Sequence, residues 1–162
     1  MATGPAGDGM TGTPLALPPE YGAPAKTLAW ADVEARLAAA RQVWLATVRP
    51  DGRPHAVPVD ALWVEGAAWF GGSPDTVKHR NLLADGRATL HLPDAGAAVI
   101  VEGQCELVTP DGPTVKLLIA ASKEKYGYAP PAEGYAAGVW RLRPSKVMAW
   151  TSLPVDATRF LF

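Results

Sequence analysis

The stretch QVWLATVRPDGRPHAVPVDALWVEGAAWF, residues 42–70, decides the fold. Gln42–Val48 is rich in branched and aromatic residues, the composition of a half-buried strand. Arg49-Pro50-Asp51-Gly52-Arg53 follows as a turn: proline presets φ, aspartate bonds its own backbone, and glycine supplies a positive φ. Pro54–Val64 reads as a second strand, Glu65-Gly66 as a tight turn, and Ala67–Phe70 as a short returning strand. Three strands joined by turns this short form an antiparallel meander; a βαβ unit would need a helical crossover.

Downstream, Gly71-Gly72-Ser73-Pro74 closes the meander and opens a helix to about Ala84, with Ser73 as N-cap and Pro74 as first helical residue. Strands are expected at Arg87–Leu92 and Ala97–Val108, a helix over Pro113–Tyr126, a connection over Ala129–Gly138, and a last strand over Val139–Trp150 interrupted at Pro144-Ser145. Upstream, Thr27 caps a helix through about Arg41, with Leu28, Ala31, Val33, Leu37 and Ala38 as its apolar stripe. Residues 1–26 hold ten of the chain's 32 Gly and Pro residues. That arm reads as loose or draped, and residues 27–162 as one domain. Six strands with few helices between them predict a mainly β fold, a small antiparallel barrel with helices at its rim.

At 162 residues the chain suits one domain, and 48% apolar with 19% charged residues can fill one core. Fifteen Lys and Arg against sixteen Asp and Glu leave a charge of −1, which argues against nucleic acid as the partner. A single cysteine, Cys105, excludes an intramolecular disulfide framework and a multi-cysteine metal site. His55, His79 and His91 show no metal-ligand spacing, so no metal is expected. The opening residues lack the flank and core of a secretory signal, and no apolar run has a membrane-spanning length, so a cytoplasmic protein is expected. Of the six tryptophans, Trp63, Trp69, Trp140 and Trp150 fall on predicted strands, where alternation should turn some outward as a partner surface.

The chemistry-bearing segment is Phe70–Asn81. Two glycines at a strand end let a ligand approach the backbone, and a helix N-terminus follows with free N–H groups and a positive dipole end. Thr76 adds a hydroxyl, and Lys78 and Arg80 add charge. This pattern suits a phosphate; the plain alternative is a capped helix whose basic residues sit in water. Asp75 would repel a phosphate on its own side, and instead serves the helix dipole or pairs with His79. No Ser/His/Asp or Cys/His arrangement favours nucleophilic catalysis, and no catalytic side chain is identified.

The sequence resembles the pyridoxamine 5′-phosphate oxidase-like split barrels that bind flavin or deazaflavin. Trp44–Val48, Asp51-Gly52-Arg53-Pro54-His55 and Val57-Pro58-Val59 are similar to that family's first hairpin. Thr76–Leu82 followed by Asp85–Leu90 resembles its helix-and-strand signature, and Val101-Glu102-Gly103 the next strand. The resemblance implies a six-stranded split β-barrel and a homodimer with cofactor sites at the subunit interface. It implies that Thr76 and Lys78 hold the cofactor phosphate, helped by Arg80 and Asn81. Val57, Pro58, Val59, Phe70 and Gly71 would then lie along the ring. Val57 stands where true pyridoxamine phosphate oxidases carry a basic residue, and the tail Asp156–Phe162 lacks their substrate-gripping pattern. The implied activity is hydride transfer between bound FMN or coenzyme F420 and a small organic substrate. The alternative is a non-catalytic flavin- or haem-binding module. An F420 tail would need a basic exit, which Arg53, Arg80 and Arg87 could form if they share a face.

Overall fold

The computed structural model describes residues 9–162. Every strand pairing is antiparallel. The strands are β1 (Thr13–Pro14), β2 (Gln42–Val48), β3 (Pro54–Asp60), β4 (Leu62–Val64), β5 (Ala67–Phe70), β6 (Arg87–His91), β7 (Val99–Val108), β8 (Val139–Ala149) and β9 (Thr158–Leu161). Three α-helices accompany them: α1 (Trp30–Ala39), α2 (Val77–Ala84) and α3 (Gly112–Tyr126). The path runs β1-β9-β8-β7-β6-β2-β3, and the β4–β5 hairpin joins through a β5–β8 pairing. The barrel is split: β3 has only β2 as a ladder neighbour. Among the described residues no helix is long and apolar enough to cross a membrane.

Alternation fills the core. On β2, Val43, Leu45 and Thr47 point inward while Trp44 stands 40% exposed. Leu90, Val99, Val101, Val147 and Phe160 meet them, and Trp30, Val33 and Leu37 of α1 close one end. A smaller cluster packs Ala67, Trp69 and Tyr135 around Leu118 of α3. At Gly103 the β7–β8 register shifts, and a Cβ there would lie 2.0 Å from the Arg143 carbonyl oxygen. Only glycine lets the backbones approach so closely.

Several expectations are corrected. The strand expected over Pro54–Val64 breaks at Ala61, whose carbonyl accepts from Lys125 Nζ at 2.9 Å and Tyr126 Oη at 3.1 Å; α3 thereby takes that carbonyl out of the ladder. Helix α1 begins at Trp30 without a side-chain cap. The Leu28 N–H is instead held by Thr158 Oγ1 at 2.8 Å, and Ala31 and Ala38 face solvent. Trp69 and Trp140 are buried, Trp63 and Trp150 half-buried, so the outward tryptophan is Trp44.

The described part of the arm is draped along a strand that the sequence reading did not contain. Thr13 and Pro14 pair with Arg159 and Thr158 of β9. Farther along, the Leu15 N–H meets the Ala157 carbonyl at 2.9 Å and the Ala25 N–H the Val155 carbonyl at 2.8 Å. The rest of that reading, residues 1–8, lies outside the described residues.

Phe160 joins arm, helix and sheet: it is fully buried and sits edge-on to Trp30 at 5.1 Å. Phe160→Ala should cost about 3–5 kcal/mol of stability, read from the urea midpoint. A loss below ~1 kcal/mol would show that β9 is not fastened to the core.

Candidate functional site

The site is built where β5 runs into α2. Gly72 has φ +146°, and a Cβ there would lie 2.3 Å from Lys78 Nζ. The ammonium thus lies directly over a glycine whose backbone conformation L side chains rarely adopt. The turn between them is self-contained. Ser73 Oγ accepts from the Asp75 N–H at 3.2 Å, and the Thr76 hydroxyl donates to the Ser73 carbonyl at 2.8 Å. Thr76 Oγ1 also accepts from the His79 N–H at 3.4 Å. The helix cap is thus Thr76, not Ser73, because Ser73 is already folded into the preceding turn; α2 starts at Val77.

A cleft of about 560 Å³ opens beside this corner, within the usual size range of small-molecule sites. Pro58, Val59 and Asp60 of the unpaired edge of β3 form one side, and Trp69, Phe70 and Gly71 another. Tyr126, Tyr128 and Tyr135, from the end of α3 and the connection after it, complete the wall. Lys78 reaches the cleft half-buried, and burial pushes its pKa below the ordinary lysine value. Among the described residues it makes no ion pair.

Of the residues expected at the site, Pro58, Val59, Phe70, Gly71 and Lys78 line this one cleft. Val57 lies one residue away, half-buried and paired with Leu45. Thr76 has spent its one donor hydrogen on Ser73. Arg80 donates to the Asp75 carbonyl at 2.9 Å and is exposed. Asn81 is 2% exposed and donates from Nδ2 to Thr47 Oγ1 at 3.0 Å, so it fixes α2 to β2. Neither lines the cleft. Arg53, Arg80 and Arg87, expected as a basic exit, do not line the cleft; Arg53 pairs with Asp51 and Arg87 with Asp85, whose carboxyl is held at about 2 by that arginine.

Sequence reasoning missed Asp60, Trp69 and the three tyrosines. The available signal was composition: three of the chain's four tyrosines fall within residues 126–135. The histidines have structural partners. His79 Nδ1 accepts from Trp140 Nε1 at 3.1 Å, and no bond joins His79 to Asp75. His91 Nδ1 lies 2.9 Å from the Leu92 carbonyl. Burial pushes the Cys105 thiol up to about 12, so it is no nucleophile at neutral pH. Among the described residues no group of three His, Cys, Asp or Glu side chains could hold a metal.

Known proteins share the family sequence pattern and the fold. The family model described as pyridoxamine 5′-phosphate oxidase matches residues 29–151. The conserved hypothetical protein Rv2991 of Mycobacterium tuberculosis has a similar structure, with TM-score 0.64 and 20% identity over 78% of this chain and 86% of its own. An F420 reductase matches at TM-score 0.54 and 26% identity over 70% of this chain and 94% of its own. A heme binding protein from Mycobacterium smegmatis matches at TM-score 0.59 and 26% identity, covering 76% of this chain and 55% of its own. No curated protein sequence matches the chain.

Lys78 carries a stability cost that can be measured. With its pKa lowered by burial, the charged ammonium destabilises the unliganded fold at neutral pH. That cost fades as pH rises through the lowered value and the native state sheds its proton before the unfolded chain does. Lys78→Met should raise the thermal midpoint of the ligand-free protein at pH 7, and the gain should narrow as pH approaches 10.5, the ordinary lysine value. A variant that melts lower at pH 7 would mean the ammonium has a stabilising partner.

Proposed function

Because the chain belongs to the pyridoxamine 5′-phosphate oxidase family, we propose that its cleft holds a phosphorylated flavin or deazaflavin, FMN or coenzyme F420. On this reading the protein is an oxidoreductase acting on a small organic substrate. The observation that carries the proposal is Lys78: a half-buried ammonium with no anionic partner among the described residues, set over Gly72 and facing a cleft of cofactor size. The donor set fits the group. Lys78 would hold the phosphate by a charge-assisted bond. Gly71 and Gly72 would let it come close to the backbone, and Pro58, Val59 and Phe70 offer apolar surface to a ring. The tyrosine wall would shield that ring from water. A bound flavin itself supplies the hydride chemistry; the protein contributes orientation and exclusion of solvent.

The F420 reductase likeness supports the deazaflavin arm of this reading. The heme binding likeness supports a non-catalytic alternative. Against the alternative, no histidine lines the cleft among the described residues, so a bound haem would lack its commonest protein ligand there.

The proposal includes a homodimer. Register sets Pro58, Trp44, His91, Ile100 and Met148 in one row on the outer face of the sheet. Trp44 and Pro58 are exposed and the others half-buried, an apolar row of the kind a second copy would cover. Pro58 also lines the cleft, so a partner on that row would stand at the cofactor's edge.

Two measurements test this. In FMN and F420 titrations, Lys78→Ala should weaken binding by about 1.5–3 kcal/mol. Thr76→Val should instead lower stability by about 1 kcal/mol through its lost cap, with little effect on affinity. Unchanged affinity in Lys78→Ala, or no binding of either flavin, would defeat the cofactor reading. Sedimentation across a dilution series should show a dimer burying over ~1,000 Å² that Trp44→Glu splits, with flavin released in parallel. A monomer that keeps its flavin would defeat the shared-site model.

A further inference from the structure

A second cleft, of about 660 Å³, adjoins the first. The two share Asp60, Tyr126 and Tyr128, so they form one bent groove with Lys78 in one arm and Arg41 in the other. The Arg41 arm is built by α3 gripping the start of β2. Arg41 donates from its guanidinium to the Lys125 carbonyl at 2.5 Å and accepts at its own carbonyl from Tyr126 Oη at 2.6 Å. The guanidinium carbon lies 5.4 Å from the Tyr126 ring centroid. One N–H is thus used in fixing the group, and the remaining donors of the fork are left for a ligand.

Arg41 has a second cation behind it. Lys125 is held beside Arg41 by the Ala40 and Ala61 carbonyls at 2.8 and 2.9 Å, neither of which cancels its charge. Asp60 faces the same groove, yet neither cation lies within ion-pair distance of a carboxylate among the described residues. Of the charged side chains that line this arm, Arg41 is the one cation and Asp60 the one carboxylate, and they are not paired with each other; Lys125 stands behind the lining and adds its charge from there. The rest of the lining is Ala40, Gln42, Pro93, Tyr126 and Tyr128, the last with its side chain largely in solvent. Tyr128 is exposed, and its backbone is tied to α3. Its carbonyl accepts from Ser122 Oγ at 2.7 Å, and it sits between Gly127 in the left-handed region and Ala129-Pro130-Pro131. A large aromatic ring exposed at the junction of two clefts presents a stacking face to whatever passes between them.

We propose that the Arg41 arm is the substrate subsite of the groove and takes a planar aromatic molecule bearing one negative charge, its oxyanion on Arg41 and its ring against Tyr128. The assignment of this molecule as the substrate rests on the flavin reading of the Lys78 arm; the subsite itself does not.

The test is equilibrium dialysis of the full chain against 2-naphthoate and 2-naphthamide, which share shape and differ in charge. The protein should bind naphthoate about tenfold more tightly, the scale of one charge-assisted contact. Arg41→Gln should erase the preference, while Arg41→Lys should keep most of it and covers the case in which the glutamine variant does not fold. Tyr128→Ala should weaken both probes and Tyr128→Phe neither. Equal binding of the two probes, no binding of naphthoate, or a preference that survives Arg41→Gln and vanishes in Lys78→Ala would overturn the subsite. FMN titration of the wild-type protein is run separately. Failure there removes the cofactor reading and leaves the naphthoate preference standing, so the two failures are distinguishable.

Discussion

One edge of an eleven-residue strand has to serve two neighbours. Strand β8 pairs with β7 along its whole length; on its other edge Trp140–Leu142 pair with β5, and Lys146–Ala149 with β9. The close crossing at Gly103 and the register shift beside it lie between those two regions. The division sends the β4–β5 hairpin away from the main path, so it cannot complete a ladder with β3. The cleft lies between these elements, with β3 on one side and β5 on the other. A closed barrel would have joined those edges and left no room there.

A split of this kind leaves polar backbone and apolar side chains that other parts of the chain must cover. Helix α3 does so with a cation and a phenol: Lys125 and Tyr126 take the Ala61 carbonyl that the broken strand gives up. The N-terminal arm does so at the opposite end, lying along β9 and bringing Met10 against the core. Asn81 ties α2 to β2 through Thr47, deep in the interior. The helix that carries Lys78 is therefore positioned by a buried polar bond, and Lys78 itself is left free of that duty. On the proposed reading this is a division of labour: Asn81 and Thr76 place the helix, and Lys78 meets the ligand.

The meander over residues 42–70 was legible because its turns carry their own chemistry, Asp51-Gly52 and Glu65-Gly66, and because β2 alternates cleanly. The cleft's Pro58, Val59, Phe70, Gly71 and Lys78 were legible through glycines at a strand end and through the family resemblance. What was not legible has one physical source, long-range hydrogen bonding. Nothing local marks Ala61 as the break, since its partners lie more than sixty residues away. Thr158–Leu161 is too short to announce a strand, and forms one between β8 and the arm. Thr27 has the side chain of a cap, but a threonine from the far end of the chain holds the Leu28 N–H. Thr76 was singled out for the right local reason, a hydroxyl at a helix start, and the structure uses that hydroxyl on the helix itself.

The groove holds few groups able to move a proton. Its titratable side chains are Asp60, Lys78, the three tyrosines and, in the second arm, Arg41. The histidines are engaged elsewhere: His55 lies 3.4 Å from an Arg49 nitrogen, His79 accepts from Trp140, and His91 contacts the Leu92 carbonyl. Such a lining binds and orients better than it performs acid–base chemistry. On the proposed reading the reacting electrons come with the ligand, as a flavin or deazaflavin would supply them. The same lining explains where selectivity would come from. On the proposed reading, discrimination among substrates falls to charge and stacking, which meet where Arg41, Tyr126 and Tyr128 come together.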